Sequence, residues 1–284
     1  MLKRMPRGAR AVLAGAVTVV ALAAGGVAAF AQGGTPPTLT LAFGADGKLT
    51  FSGAEGIVGK AATVAVSSAD PKKKAEHAAA LVRLEPGVTP EQFAAAAAKA
   101  KSFEDIDGVG VIDSFVGAPP KGAPPQTSVT KIVAGATYVV LDFSGEQPIP
   151  VGAFVAGKVS PSVKLPTVDF STSVKEYKFT AKTLPRKGTI RITNRGKQYH
   201  EMIGFHVRKG VDPKSIVGRL QQGKEPKKGT TDGEAFLLAP VGPGAVNQAE
   251  FTIERGTYVF TCFLPDSKGR PHSTQGMNKV ISVK

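Results

Sequence analysis

Several things are scarce in this 284-residue chain, and each scarcity excludes something. It has no tryptophan, and aromatic residues are only 7% of the total. It has one cysteine, so no disulfide can close within it, and only four histidines. Negative charge is also short: 22 Asp and Glu stand against 36 Lys and Arg, for a formal charge of +14. Without tryptophan, and with no aromatics interleaved among the basic residues, that charge does not read as a nucleic-acid surface. It implies solubility and attraction to anionic partners, either an acidic redox partner protein or an anionic envelope polymer. No H-x-H occurs and no hydrolytic constellation is recognisable, so an enzyme is not expected.

What is plentiful is glycine (33), proline (21) and small apolar residues, with 42% of the chain hydrophobic. That composition suits many turns around a β core, and the length suggests two domains.

The first residues read as a targeting signal. Lys3, Arg4, Arg7 and Arg10 precede an apolar run over 11–30, and Ala29-Phe30-Ala31 offers a cleavage site before Gln32. Residues 1–31 are therefore expected to be a signal peptide, with a secreted, periplasmic or cell-envelope destination. If uncleaved, this run would be the membrane attachment. Export changes the meaning of Cys262. Outside the cytosol thiols pair, and an odd one is left as an intermolecular bridge, a reactive thiol or a metal ligand. A buried Cys that packs as a small hydrophobe is the alternative.

After Gln32 the chain reads as strands near 38–43, 49–51 and 62–66, and then it matches itself. His77 to Pro90 and His200 to Pro213 align without a gap, each with His, then Gly-Val (Gly87-Val88, Gly210-Val211), then a capping residue and Pro. Thr89 and Asp212 are helix N-caps with Pro in the first helical position, and Gln92 completes a capping box with Thr89. Helices over about 90–102 and 213–221 should follow. Further on, Ala136-Thr137-Tyr138-Val139-Val140-Leu141-Asp142 matches Gly256-Thr257-Tyr258-Val259-Phe260-Thr261-Cys262. The expected fold class is all-β: two tandem Greek-key β-sandwich domains, 37–160 and 165–284, each with a short inserted helix. Asp142 takes the place of Cys262 in the first copy, and His77 reads there as an ordinary loop histidine.

The last forty residues carry the chemistry. Residues 258–262 alternate as a strand that delivers Cys262 to its end, and His272 and Met277 follow on the next loop. Cys, His and Met are soft donors that suit copper. Gly256-Thr257-Tyr258-Val259-Phe260-Thr261-Cys262, His272 with Met277 after Gly276, and the closing strand 279–283 resemble the ligand loop of cupredoxins, the blue copper proteins such as plastocyanin and azurin. Asn194, Gly196 and His200 resemble the loop that brings the first histidine. The resemblance spans roughly 165–284. It implies His200, Cys262 and His272 as equatorial ligands of one copper ion, Met277 as a weak axial ligand, and Asn194 and Gly196 as shapers of the first loop. The first domain would then be a cupredoxin-like copy without ligands.

Two positions depart from the family pattern. Nine residues separate Cys262 from His272 where a few are usual, and Glu201 follows His200 where Asn is common. Asp266-Ser267-Lys268-Gly269 is a turn sequence, so the insertion is expected to form a hairpin that returns His272 to Cys262. His206 is the substitute imidazole if it does not. The function expected is electron transfer or copper handling outside the cytosol. The alternative is a metal-free sandwich acting as an interaction or structural module. A two-domain laccase or copper nitrite reductase is set aside because four histidines are too few.

Overall fold

Period-2 alternation of apolar and polar side chains turns most of this chain into strands, and Gly, Pro and Asp punctuate them. The computed structural model describes residues 34–284 apart from 71–76, 101–102, 120, 122 and 145–146. The expected signal segment, 1–31, lies outside the described residues.

The first half comprises β1 (Thr38–Phe43), β2 (Leu49–Ser52), β3 (Val58–Ser68) and β4 (Ala78–Leu84), then helix α1 (Pro90–Ala97). It continues with β5 (Gly110–Gly117), β6 (Gln126–Ile132), β7 (Thr137–Asp142), β8 (Ile149–Val155) and β9 (Gly157–Val159). The second half has β10 (Phe170–Lys175), β11 (Lys178–Phe179), β12 (Thr183–Leu184), β13 (Lys187–Asn194) and β14 (His200–Val207). Helix α2 (Pro213–Gln221) follows, then β15 (Thr231–Val241), β16 (Val246–Thr252), β17 (Gly256–Thr261) and β18 (Asn278–Val283). The class is all-β, as expected.

Strand order is the same in both halves. One sheet runs β2-β1-β3-β6 in the first half and β11-β10-β13-β16 in the second. The facing sheets run β5-β4-β7-β8 and β15-β14-β17-β18, with β12 added outside β18. In both, the opening strand pairs in parallel with the third, β1 with β3 and β10 with β13. Apolar side chains fill the space between sheets: Val174, Ile190 and Ile192 from one layer meet Met202, Tyr258, Phe260 and Ile281 from the other. This is the aligned two-layer packing of a β-sandwich.

The sandwiches are joined rather than self-contained. β6 and β16, which are equivalent strands, pair antiparallel through Asn247↔Thr130 and Gln248↔Val129, so one nine-stranded sheet crosses both halves. Buried polar side chains tie this joint. Asn247 donates to the Asp113 carbonyl at 2.7 Å and accepts from the Ser128 hydroxyl at 2.8 Å, and Thr130 donates to the same carbonyl at 2.8 Å. The Tyr199 hydroxyl donates to the Gly110 carbonyl at 3.0 Å. Gly242 lets the strands close here, because a Cβ on it would lie 2.6 Å from Val111.

Both helices start as their caps dictate. Thr89 and Gln92 complete the capping box, and the Asp212 side chain accepts from the Lys214 N–H. α2 has the expected bounds and packs Ile216 and Leu220 on Phe205, Val207 and Val259. α1 ends at Ala97, short of the expected 102, having buried Phe93 and Ala97, and the chain reaches its next core anchor, Ile106, on a separate 3-10 helix, Phe103–Ile106. Among the described residues no helix is long and apolar enough to cross a membrane.

Candidate metal centre

Three chain segments converge at one end of the second half. The first is the loop between β13 and β14. Asn194, fully buried, donates its amide to the carbonyls of Gln198 (2.8 Å) and Val241 (3.0 Å) and accepts from the Gly196 N–H (2.8 Å). That three-way tie fixes the loop and delivers His200 as the first residue of β14. Gly196 is required by space, since a Cβ there would stand 2.8 Å from His200 Nε2 and 2.6 Å from a Glu176 carboxylate oxygen.

The second segment is the chain after β17. Cys262 follows its last residue, and β17 pairs with β18 in the register Thr261↔Asn278, so the connecting loop must return to where it left. The nine-residue insertion does form a hairpin. A bridge joins Pro265 to Pro271, Gly269 N–H donates to the Asp266 carbonyl, and His272 N–H donates to the Leu264 carbonyl at 2.9 Å. The Asp266 carboxylate accepts from the backbone N–H groups of Lys268 and Arg270 and from the Arg270 guanidinium. Against the burial that would raise it, those bonds hold its pKa down at about 2. A 3-10 turn, His272–Gln275, then leads to Met277, whose N–H donates to the His272 carbonyl at 3.0 Å.

Donor atoms of His200, Cys262 and His272 all lie within 4.8 Å of one another, and all three residues are buried. His272 Nδ1 is 3.4 Å from the Cys262 sulfur, and the Glu201 N–H points at that sulfur from 3.5 Å. Both ring nitrogens of His200 and Nε2 of His272 are buried without a hydrogen-bond partner. Such orphaned polar atoms are uncommon in protein interiors, and three of them gather here beside a buried sulfur. Burial, with the nearby His272 adding to it, pushes the His200 pKa down to about 4, and burial likewise lowers that of His272. Both imidazoles are therefore neutral near pH 7, with lone pairs available. Met277 is fully buried in the same core as Cys262.

Glu201 takes the place expected for Asn. Its carboxyl accepts from the Phe263 N–H at 2.8 Å, tying β14 to the residue after Cys262, and burial raises its pKa to about 7. The third segment was not foreseen. The two-residue turn between β10 and β11 places Glu176 against the Lys197 N–H and Tyr177 edge-on to His272, ring centres 5.6 Å apart. Tyr177 holds φ at +59°, a left-handed conformation that a bulky residue rarely adopts.

His206 is not part of this group. It lies at the far end of β14, with Nδ1 2.8 Å from the Asp232 carboxylate and its ring stacked on Tyr258. His77 precedes β4 much as His200 opens β14, but its Nε2 meets the Asp70 carboxylate at 2.7 Å and its ring stacks on Phe43. Asp142, at the position matching Cys262, accepts from the N–H and hydroxyl of Ser144.

No family model matches the chain. No curated protein matches it either. Among solved structures it is similar to auracyanin from Roseiflexus castenholzii, at 20% identity over 40% of this chain and 95% of that one, TM-score 0.27. Auracyanin B is similar at 16% identity over 42% and 92%, TM-score 0.26. An azurin from Methylomonas sp. strain J is similar at 9% identity over 40% and 95%, TM-score 0.25.

Proposed function

We propose that this protein is an exported, cupredoxin-like copper protein that binds one copper ion and serves electron transfer or copper handling without being an enzyme. The observation that carries the reading is the buried His200–Cys262–His272 group, with three imidazole nitrogens that have no partner of their own. The donor set fits: a thiolate with two imidazoles suits both Cu(I) and Cu(II), and bound copper would supply one-electron chemistry with little rearrangement. His200, Cys262 and His272 would hold the ion, and Met277 would be the weak fourth ligand. Asn194 sets the position of His200, and the Glu201 N–H steadies the sulfur. The hairpin of 264–271 keeps water from the group.

In this reading the second half, 165–284, carries the metal and the first, 37–160, is a copy of the same domain that has lost its donors. Asp142 is engaged with Ser144 and His77 with Asp70, and among the described residues of that half no group resembles the His–Cys–His one. Titrating the purified full-length protein with Cu(II) tests the proposal. One equivalent should give an intense blue thiolate-to-copper band, and Cys262→Ser should lose it while keeping the far-UV circular dichroism of the wild type. A colourless titration, or a band that survives Cys262→Ser, would leave a metal-free interaction module as the better reading.

A further inference from the structure

Where the two halves join, the outer face of the nine-stranded sheet carries a cavity. Strand register builds its floor. Val129 of β6 stands opposite Gln248 of β16, and Gln248 stands opposite Arg191 of β13. Two residues along, Glu250 of β16 stands opposite Thr189 of β13. Residues two apart on a strand share a face, so both rows look outward, away from the core that Ile190 and Ile192 fill. The segment linking the halves forms the wall. Its Pro166 carbonyl is pinned over the floor, accepting from the Arg191 guanidinium at 2.7 Å and from the Gln248 amide at 2.9 Å. Val129, Thr189, Gln248, Glu250 and residues 166–168 line a space of about 150 Å³, half open to solvent.

Two polar groups here lack a partner among the described residues. Gln248 is only 4% exposed, and with its Nε2 spent on Pro166 its Oε1 accepts from nothing. Arg191 Nε, on the residue directly opposite, donates to nothing. Exchanging oxygen and nitrogen in the Gln248 amide would set oxygen against the Pro166 carbonyl, so the amide is held this way round. An unmet acceptor beside an unmet donor calls for a group that presents N–H and C=O side by side. Around them Val129, Pro166 and Val168 make the lining apolar. Arg191 and Glu250 are of opposite sign, and Asp169 is taken up by the N–H and hydroxyl of Thr189, which favours a neutral occupant over an ion. We propose that this cavity binds a neutral molecule the size of a single ring that carries a carboxamide or lactam group. An apolar cavity of about 150 Å³ holds one benzene, which sets the size. An apolar lining with a few convergent polar groups, between two structural units, is the usual make-up of a small-molecule site. Water meets the two polar groups as well but gains nothing from the apolar wall. The site shares no residue with the His200–Cys262–His272 group and does not rest on the copper reading.

The test titrates metal-free, isotope-labelled full-length protein with 2-pyrrolidinone, a five-membered lactam, and with cyclopentanone, the same ring without the N–H. The lactam should shift the amides of 127–129, 167–168, 189–191 and 248–250 saturably, and the ketone should bind on the order of tenfold more weakly for want of the hydrogen bond to Gln248. Gln248→Leu removes the acceptor and should bring the two probes to equal affinity. Because that change also frees Pro166, a second variant leaves the wall alone: Val129→Phe fills the floor and should lose both probes. The proposal is overturned by equal affinity of the wild type for the two rings, or by a preference for the lactam that survives Gln248→Leu. Shifts that spread over the surface without saturating, or a footprint that persists in Val129→Phe, would overturn it as well.

Discussion

At the scale of single residues, Glu201 and His200 set opposed pH dependences. In the metal-free protein burial holds His200 at about 4, below its ordinary 6.5, so the unfolded chain takes up that proton first as pH falls. Stability from this group is therefore lost between pH 6.5 and 4, by on the order of 3 kcal/mol, and His272 acts in the same direction. Glu201, held at about 7 against 4.5, acts the other way: its stabilisation is present at low pH and is lost as pH rises through 7. The two nearly cancel between 4.5 and 6.5. Glu201→Gln keeps an acceptor for the Phe263 N–H and removes one of the two slopes. Urea midpoints should then climb from pH 4 to 6.5 in this variant and stay flatter in the wild type. Equal slopes in both would mean that Glu201 does not hold its proton.

At the scale of elements, the loop between β13 and β14 has no room to spare. Gly196→Ala drives a methyl between Glu176 and His200 Nε2. Copper affinity should fall by about tenfold or more, with the chain still folded, because misplacing one ligand weakens a site without opening the core. A competition titration against a chelator measures this, and an unchanged affinity would show that the loop gives way freely. How much of this end was legible follows from the same elements. Cys262, His272 and Met277 sit on one connection between adjacent strands, so periodicity and turn residues point to their convergence. The hairpin was legible too, since Asp266 and Gly269 are turn formers. Glu176 and Tyr177 were not, because they reach the site through parallel pairing of β10 with β13 in the register Val174↔Asn194, which no local pattern records. The only mark was a tyrosine in a two-residue turn, where glycine or asparagine would be easier.

At the scale of the whole molecule, the likeness of the two halves was legible in the matched segments, but their strand order and the joint between β6 and β16 were not. The clue to the joint was polar residues that turn out to be buried in strands: Ser128, Thr130, Asn247 and Gln248. Sequence alone cannot distinguish such residues from a solvated face. Joined by strand pairing and buried hydrogen bonds, the two halves are expected to unfold as one cooperative unit. Asn247→Leu would leave the buried Ser128 hydroxyl without its acceptor and the Asp113 carbonyl with Thr130 alone, at a cost of about 1–3 kcal/mol. A single unfolding transition should move to lower denaturant, and two separate transitions would show the halves to be independent.

The same joint decides which margins of the nine-stranded sheet stay open to other chains. A sheet grows from its margins, and a long margin with unpaired N–H and C=O groups recruits other chains. Here β6 and β16 close on each other at Thr130–Asn247 and Val129–Gln248. What remains at the two ends of the nine-stranded sheet is β2, four residues long, and β11, only two. Those stubs offer too little ladder to template another strand. A variant that parts the halves, such as Val129→Pro with Gln248→Pro, would bare two full-length margins on every chain. Light scattering should then show more concentration-dependent assembly than the intact protein does, and equal scattering would show that these two margins do not recruit other chains.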